Sequence, residues 1–393
     1  MKQEDLPCNF FSLSDHLDML GVTLMATYTS TRKANGDILQ EKIKNLVGSW
    51  RSGKFMPLTM RPHSLNCYAY SKLWHRCCAL DLRVSDITAF NKQSKSWLYA
   101  DMLEKPEELA LYRQPEHGGL GMYNIKQRAL ACQINCFLET AFNSKFRKNQ
   151  YHEALLNHHV MDNSQIKQDT PPYFKGDFFP TIKRLKESHH DISCLTVKTI
   201  YKFLVEEITM EDGEHEVPLL KPVKVEIASP DIQWERIWKM SRQKMLGPKL
   251  TSFLFKLLHQ ILPTAKRVAR ILPNQSSFCS RCRNEEPVVE TLMHSLLECP
   301  GNQGAGDILL HGLQKYSPNL THHDILKLNF DVAEELCFPL VWCTATFLSS
   351  LWHLRLEKKT VELIKIRADM ESKVRLLRES RLTTTSDMLS NIF

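Results

Sequence analysis

Four residues have types and spacing suited to metal chemistry. Cys279, Cys282, His294 and Cys299 form the pattern Cys-x2-Cys-x11-His-x4-Cys. Three thiolates and one imidazole close a tetrahedral shell around one Zn2+. The Cys279–Cys282 pair makes a knuckle. Val288, Val289, Leu292 and Leu296 predict a short helix over 287–297 that brings His294 to the same ion. Cys299-Pro300-Gly301 ends that helix and supplies the fourth ligand. Cysteine is also a common buried residue. That alternative leaves the spacing and the polar neighbours Ser280, Arg281, Arg283 and Asn284 unexplained. With four protein ligands no position stays open for water or substrate, so the expected cofactor is structural Zn2+, not a catalytic ion.

The chain leading into this cluster is basic. Arg236, Lys239, Arg242, Lys244, Lys249, Lys256, Lys266, Arg267, Arg270, Arg281 and Arg283 lie in a stretch without a single acid, although the whole chain carries 44 acids in 393 residues. Such a run can be a solvated face. Beside a zinc knuckle it fits phosphate binding better, because Lys and Arg displace the counterions condensed on nucleic acid. Trp234, Trp238, Phe253 and Phe255 could stack on bases. Their helical spacing suits a core equally well.

Other motifs carry no chemistry. Gly48 to Lys54 has the outline of a phosphate-binding loop, but Phe55 stands where Ser or Thr should hold Mg2+, and a helix precedes it. Asp101 is followed by Met102, and the chain contains no Asp-Asp pair to hold two metals. Gly118, Gly119 and Gly121 read as a tight turn. No nucleophile–base set is evident, so catalysis is not expected.

The elements that must position these residues are mostly helical. A chain of 393 residues, 43% apolar and 24% charged, predicts a globular protein of several domains. A strand is expected over 20–24. A helix begun by Asp37 should present Ile38, Leu39, Ile43, Leu46, Val47 and Trp50 on one apolar face, with further helices over 56–80 and 124–143. Residues 144–230 read as a polar connector with one helix near 195–209 and solvated histidines, including His152, His158, His159, His189 and His190. Helices are expected from Trp234, over 249–262 and over 264–271. The uncharged run Leu336–Trp352 contains Pro339, Thr344 and Thr346 and is short of the ~20 residues of a membrane span, so it reads as a buried helix, and no membrane partner is expected. It continues into 354–381, where Leu363, Ile366, Met370, Val374 and Leu377 form a stripe for the same domain or for a partner helix. Twelve cysteines, with no apolar leader in the first 20 residues, predict a reducing compartment, nucleus or cytoplasm. Cys77, Cys78, Cys132 and Cys136 read as buried thiols, not as a disulfide framework.

A signature runs along the chain: Leu20-Gly21-Val22, the helix with Trp50, Lys105-Pro106, His117 to Gly121, Trp234-x3-Trp238, Lys249-x3-Phe253-x-Phe255-Lys256-Leu257-Leu258-His259, Leu262-Pro263-Thr264, then the four zinc ligands; the part from Phe255 onward is specific. It resembles the C-terminal half of a non-LTR (LINE-type) retrotransposon reverse transcriptase, from thumb to zinc-binding domain, and is most similar to elements of fish. The resemblance implies a thumb-like helical region (1–143), a polar connector (144–230), a basic helical zinc-binding domain (231–300) and a C-terminal helical region (301–393). It implies RNA or an RNA–DNA hybrid as partner, held without catalysis, since the family's polymerase carboxylates would precede Met1. Some relatives carry a nuclease after the knuckle; no paired-acid-plus-Lys motif follows Cys299. A host-captured helical scaffold with a purely structural zinc site, or a non-functional remnant, would share these features.

Overall fold

The computed structural model describes residues 16–50, 56–100, 102–142, 150–156, 160, 174, 176–189, 191–209, 232–282, 286–357, 366, 368, 370–372 and 375. These residues are mostly helical and fall into two compact units. The first gathers 1–55, 61–100 and 122–217, the second 56–60, 101–121 and 218–393.

The first unit opens with an antiparallel hairpin, β1 (Leu17–Met19) and β2 (Val22–Leu24). The single strand expected over 20–24 is this hairpin, because Leu20 and Gly21 both have positive φ and turn the chain between the strands. Helix α1 (Tyr28–Ser49) starts nine residues before Asp37, at a capping box between Thr27 and Ser30. Helices α2 (Ser71–Cys77), α3 (Val84–Leu98) and α4 (Ile125–Phe142) follow. α1 packs on α3, and α4 on α2. The supposed connector holds α5 (Phe178–Ser188) and α6 (Val197–Thr209), whose Phe178, Phe179, Ile182, Ile200 and Leu204 share a core with Phe137 and Leu138 of α4. His152 packs against Phe137 in that core, so it is not a solvated histidine; His158, His159 and His190 lie outside the described residues.

In the second unit, α7 (Trp234–Ser241), α8 (Gly247–Leu258), α10 (Ala305–Gln314) and α11 (His322–Lys327) share one apolar core with α12 (Glu334–Leu356), while α9 (Ala265–Ile271) buries no residue of its own. Among the described residues α12 alone is long and apolar enough to cross a membrane, and 72% of its apolar window is buried within the protein. Its Thr346 and Ser350 hydroxyls donate to the carbonyls of Trp342 and Thr346, which lets polar side chains sit in an apolar core. Ile366 and Met370 are buried in the same core; the other stripe residues, Leu363, Val374 and Leu377, lie outside the described residues. The 101–121 segment belongs here through the glycine turn. Gly118 O accepts from His259 Nε2 (2.8 Å) and Gly119 O from Arg242 Nη2 (2.6 Å). A Cβ on Gly118 would lie 2.4 Å from Trp238, and one on Gly119 1.9 Å from Arg113 O. The glycines admit close backbone approach, and the N–H groups of Gly118, Gly119 and Gly121 donate to Pro115 O, Gln114 O and Arg113 O.

Candidate metal centre

Phe278 pairs with Val289, held by Cys279 N to Val288 O (2.8 Å) and Glu290 N to Ser277 O (2.9 Å). The knuckle is therefore a short hairpin, and 287–290 is extended, not helical. Two adjacent β-branched valines suit that pleated pairing. Helical turns begin only at Leu292 and pass at once into a π-turn, His294–Glu298, closed by Cys299 N to His294 O (2.8 Å). A π-turn inserts one residue and is common at functional sites. Here it brackets two ligands, His294 and Cys299.

The ligand atoms of Cys279, Cys282, His294 and Cys299 all lie within 4.8 Å of one another. Cys279 Sγ and Cys282 Sγ are each 3.7 Å from Cys299 Sγ, and Cys282 Sγ is 3.2 Å from His294 Nε2. Zn–S bonds of about 2.3 Å and a Zn–N bond of about 2.0 Å at tetrahedral angles require about 3.8 Å between sulfurs and about 3.5 Å from sulfur to nitrogen. The donor set and its spacing fit structural Zn2+.

Without the ion's charge, burial and the thiols of Cys299 and Cys279 push the Cys282 thiol up to about 12. Burial also raises Cys299, against the Gly301 N–H and the Arg281 charge. Burial lowers His294, which keeps its imidazole neutral and able to ligate. Metal binding at this site must displace thiol protons.

Several residues outside the ligand set hold this geometry. Arg281 donates to Asn302 Oδ1 (2.7 Å) and Ser295 O (2.7 Å), while Asn302 Nδ2 donates to Ser295 O (3.2 Å) and Leu296 O (3.0 Å). These bonds satisfy carbonyls that the π-turn frees. Buried Glu290 accepts from Ala265 N (2.7 Å) and, bidentately, from Arg355 Nε (2.9 Å) and Nη2 (2.6 Å). It ties the hairpin to α9 and to the end of α12. Glu290 and Asn302 carry no signal in sequence spacing; only their burial marks them.

The basic residues divide by structure. Arg236 donates to Val332 O (2.6 Å), Lys239 pairs with Glu334 (3.3 Å), and the half-buried Arg242 lies over Phe255, with desolvation lowering it to about 10. Arg267 and Arg270 both pair with Glu104, and Arg281 braces the metal turn. The acids missing from the stretch itself are supplied from elsewhere in the unit. Lys244, Lys249 and Lys266 are exposed, Lys256 is half-buried, and Arg283 lies outside the described residues. Trp234, Trp238, Phe253 and Phe255 are all buried in the unit and are not displayed for base stacking.

Residues 223–304 match the family model for zinc-binding in reverse transcriptase. No curated protein matches the chain. The matched region is thus a non-catalytic zinc-binding module of the reverse-transcriptase type, and the four metal ligands lie inside it.

Proposed function

We propose that this chain is a nucleic-acid-gripping, non-catalytic C-terminal portion of a non-LTR retrotransposon reverse transcriptase, working in the nucleus or cytoplasm. Residues 231–300 are the zinc-binding module, and a thumb-like helical region precedes the polar connector. The partner is template RNA or an RNA–DNA hybrid. Zn2+ would be held by Cys279, Cys282, His294 and Cys299, where it cross-links hairpin to π-turn. The observation that carries this reading is the converged Cys3His cluster, within a reverse-transcriptase zinc-binding match, beside the exposed Lys244, Lys249 and Lys266.

Lysine contacts to phosphate carry no base information, so binding should be nearly independent of sequence. The test is a titration of zinc-loaded chain with labelled RNA over a range of salt. Affinity should fall steeply with salt, and K244E/K249E/K266E should weaken binding and flatten the slope by about 2 (three contacts at about 0.7 each). Arg267 is a poor choice for this test, since reversing it breaks the pair with Glu104. A folded, zinc-loaded chain without RNA affinity, or with salt-independent affinity, refutes the proposal and favours an interaction scaffold.

A further inference from the structure

The hairpin that carries the first metal ligand has two faces. Its flanking hydrogen bonds, Cys279 N to Val288 O and Glu290 N to Ser277 O, make Phe278 and Val289 a non-hydrogen-bonded pair, in which side chains lie closest. Successive strand residues point to opposite faces. Cys279 (7% exposed) and Glu290 (4%) turn inward, one to the metal cluster and the other to Arg355. Phe278 (44%) and Val289 (39%) turn outward. At the end of α9, Ile271 and Leu272 are exposed as well.

Cations flank this apolar pair. Lys266 N donates to Glu290 O (3.3 Å), which places the start of α9 beside the Val289 strand. Lys266 is exposed, and Arg270, one helical turn on, keeps a 64% exposed side chain while pairing with Glu104. The acids nearest this surface include Glu104, which pairs with Arg267 and Arg270, Glu290, which pairs with Arg355, and the exposed Glu286. An exposed aromatic ring beside cations is the arrangement that binds single-stranded nucleic acid: every base offers a π-face to the ring, and the cations follow the backbone.

We propose that Phe278, backed by Val289, is a stacking platform for an unpaired base, with Lys266 holding a flanking phosphate. This rests on the nucleic-acid reading above and adds a preference for single strands over duplex. It also gives the metal site a reason to stand where it does. Cys279 is the next residue after Phe278, so the cross-link that fixes the cluster also fixes the ring.

The experiment compares F278A, F278W and K244E/K249E/K266E with the unaltered zinc-loaded chain, using a single-stranded oligouridine and a duplex RNA of equal length. F278A should weaken single-strand binding about 5- to 150-fold, the range for one base–aromatic stack, with an unchanged salt slope because no counterion contact is lost. Duplex affinity should stay the same. F278W should retain affinity, and its indole emission should be quenched by the oligonucleotide. If F278A fails to fold, F278W decides alone: quenching supports the platform and its absence overturns it. If F278A binds like the unaltered chain while the lysine variant is weak, the platform is wrong and the nucleic-acid reading stands. If F278A instead abolishes self-association and leaves RNA binding intact, the surface docks protein and the proposal falls. If the unaltered chain binds neither RNA, both readings fail.

Discussion

Glu290 offers the sharpest test of how the metal module is anchored. Its carboxylate is buried, yet it accepts three hydrogen bonds, one from Ala265 N and two from Arg355. Burial alone would raise this acid, but the Arg355 guanidinium and the Ala265 N–H outweigh it and hold the carboxyl below its usual range. Glu290→Ala strands the Arg355 charge, whose side chain is 15% exposed, and uncaps α9. Removing one partner of a buried pair costs about 3–5 kcal/mol. Arg355 keeps its stack over Trp352 (4.7 Å) and some water, so the lower end, about 3 kcal/mol, is expected. For a unit of this size, that corresponds to a melting temperature lower by about 6–12 °C. Glu290→Met with Arg355→Leu should recover most of the loss, because two apolar groups leave no buried charge. The assay is urea unfolding of the zinc-loaded chain, followed by tryptophan fluorescence. The carboxyl is lowered on folding, so the pair's contribution should be full above the ordinary carboxylate range and fade as the pH falls below it. An unchanged midpoint for Glu290→Ala, or a double variant as unstable as the single one, would refute the reasoning.

Other outcomes follow from the same geometry. Burial lowers His259 to about 4 despite its bond to Gly118 O, so it folds neutral; below an unfolded value near 6.5 the unfolded chain binds the extra proton, and stability should fall by about 3 kcal/mol between pH 6.5 and 4. His259→Gln should flatten that part of the unfolding profile. Zinc affinity, measured by competition with a chromogenic chelator, should weaken as the pH falls, since Cys282 must shed a proton held up to about 12 in the metal-free site, and Cys282→Ser should lose the ion at chelator levels the unaltered chain withstands. The hydrogen bond from Cys132 lowers Cys78 to about 7, against burial, while burial raises Cys77. Iodoacetamide at neutral pH should therefore alkylate Cys78 well ahead of Cys77 and Cys132, as peptide mapping would show; equal rates would contradict the assigned contact.

What the sequence made legible was decided by periodicity and by ligand spacing. The four ligands stand out because tetrahedral chemistry restricts their types and separations. α8 and α12 stand out because they bury long apolar faces. The first turns of α1 do not, because they bury Thr31, Asn35 and Gly36. Asn35 exchanges hydrogen bonds with Thr23 N (3.1 Å) and O (2.7 Å), and Gly36 is small because Asp86 packs on it. Such positions give no apolar signal. α5 is obscured by Pro180, which looks like a breaker but sits in the first turn, where a missing N–H costs nothing. Around the metal the apolar spacing of Val288, Val289 and Leu292 mimics a helix, but tertiary pairing with 277–279 takes the valines into a hairpin.

The acid-free run shows why charge along a chain and charge on a surface differ. Every described arginine in it, Arg236, Arg242, Arg267, Arg270 and Arg281, is bound to an acceptor within the second unit. Lys244, Lys249 and Lys266 are exposed; the other exposed cations, Lys239 and Arg270, pair with Glu334 and Glu104. The division follows from the side chains. A guanidinium presents a planar fork of donors that can brace carbonyls and carboxylates in a partly dry setting, whereas an ammonium is strongly hydrated and stays at the surface. The arginines therefore hold the module together, and the lysines are left as point charges for phosphate. Arg→Lys changes at Arg281 or Arg267 should reduce stability with little change in the salt slope of RNA binding. Lys→Arg changes at Lys244 and Lys249 should keep both. Were the arginine changes to flatten the salt slope instead, the division of labour would be reversed, and those side chains would have to leave their internal partners when RNA binds.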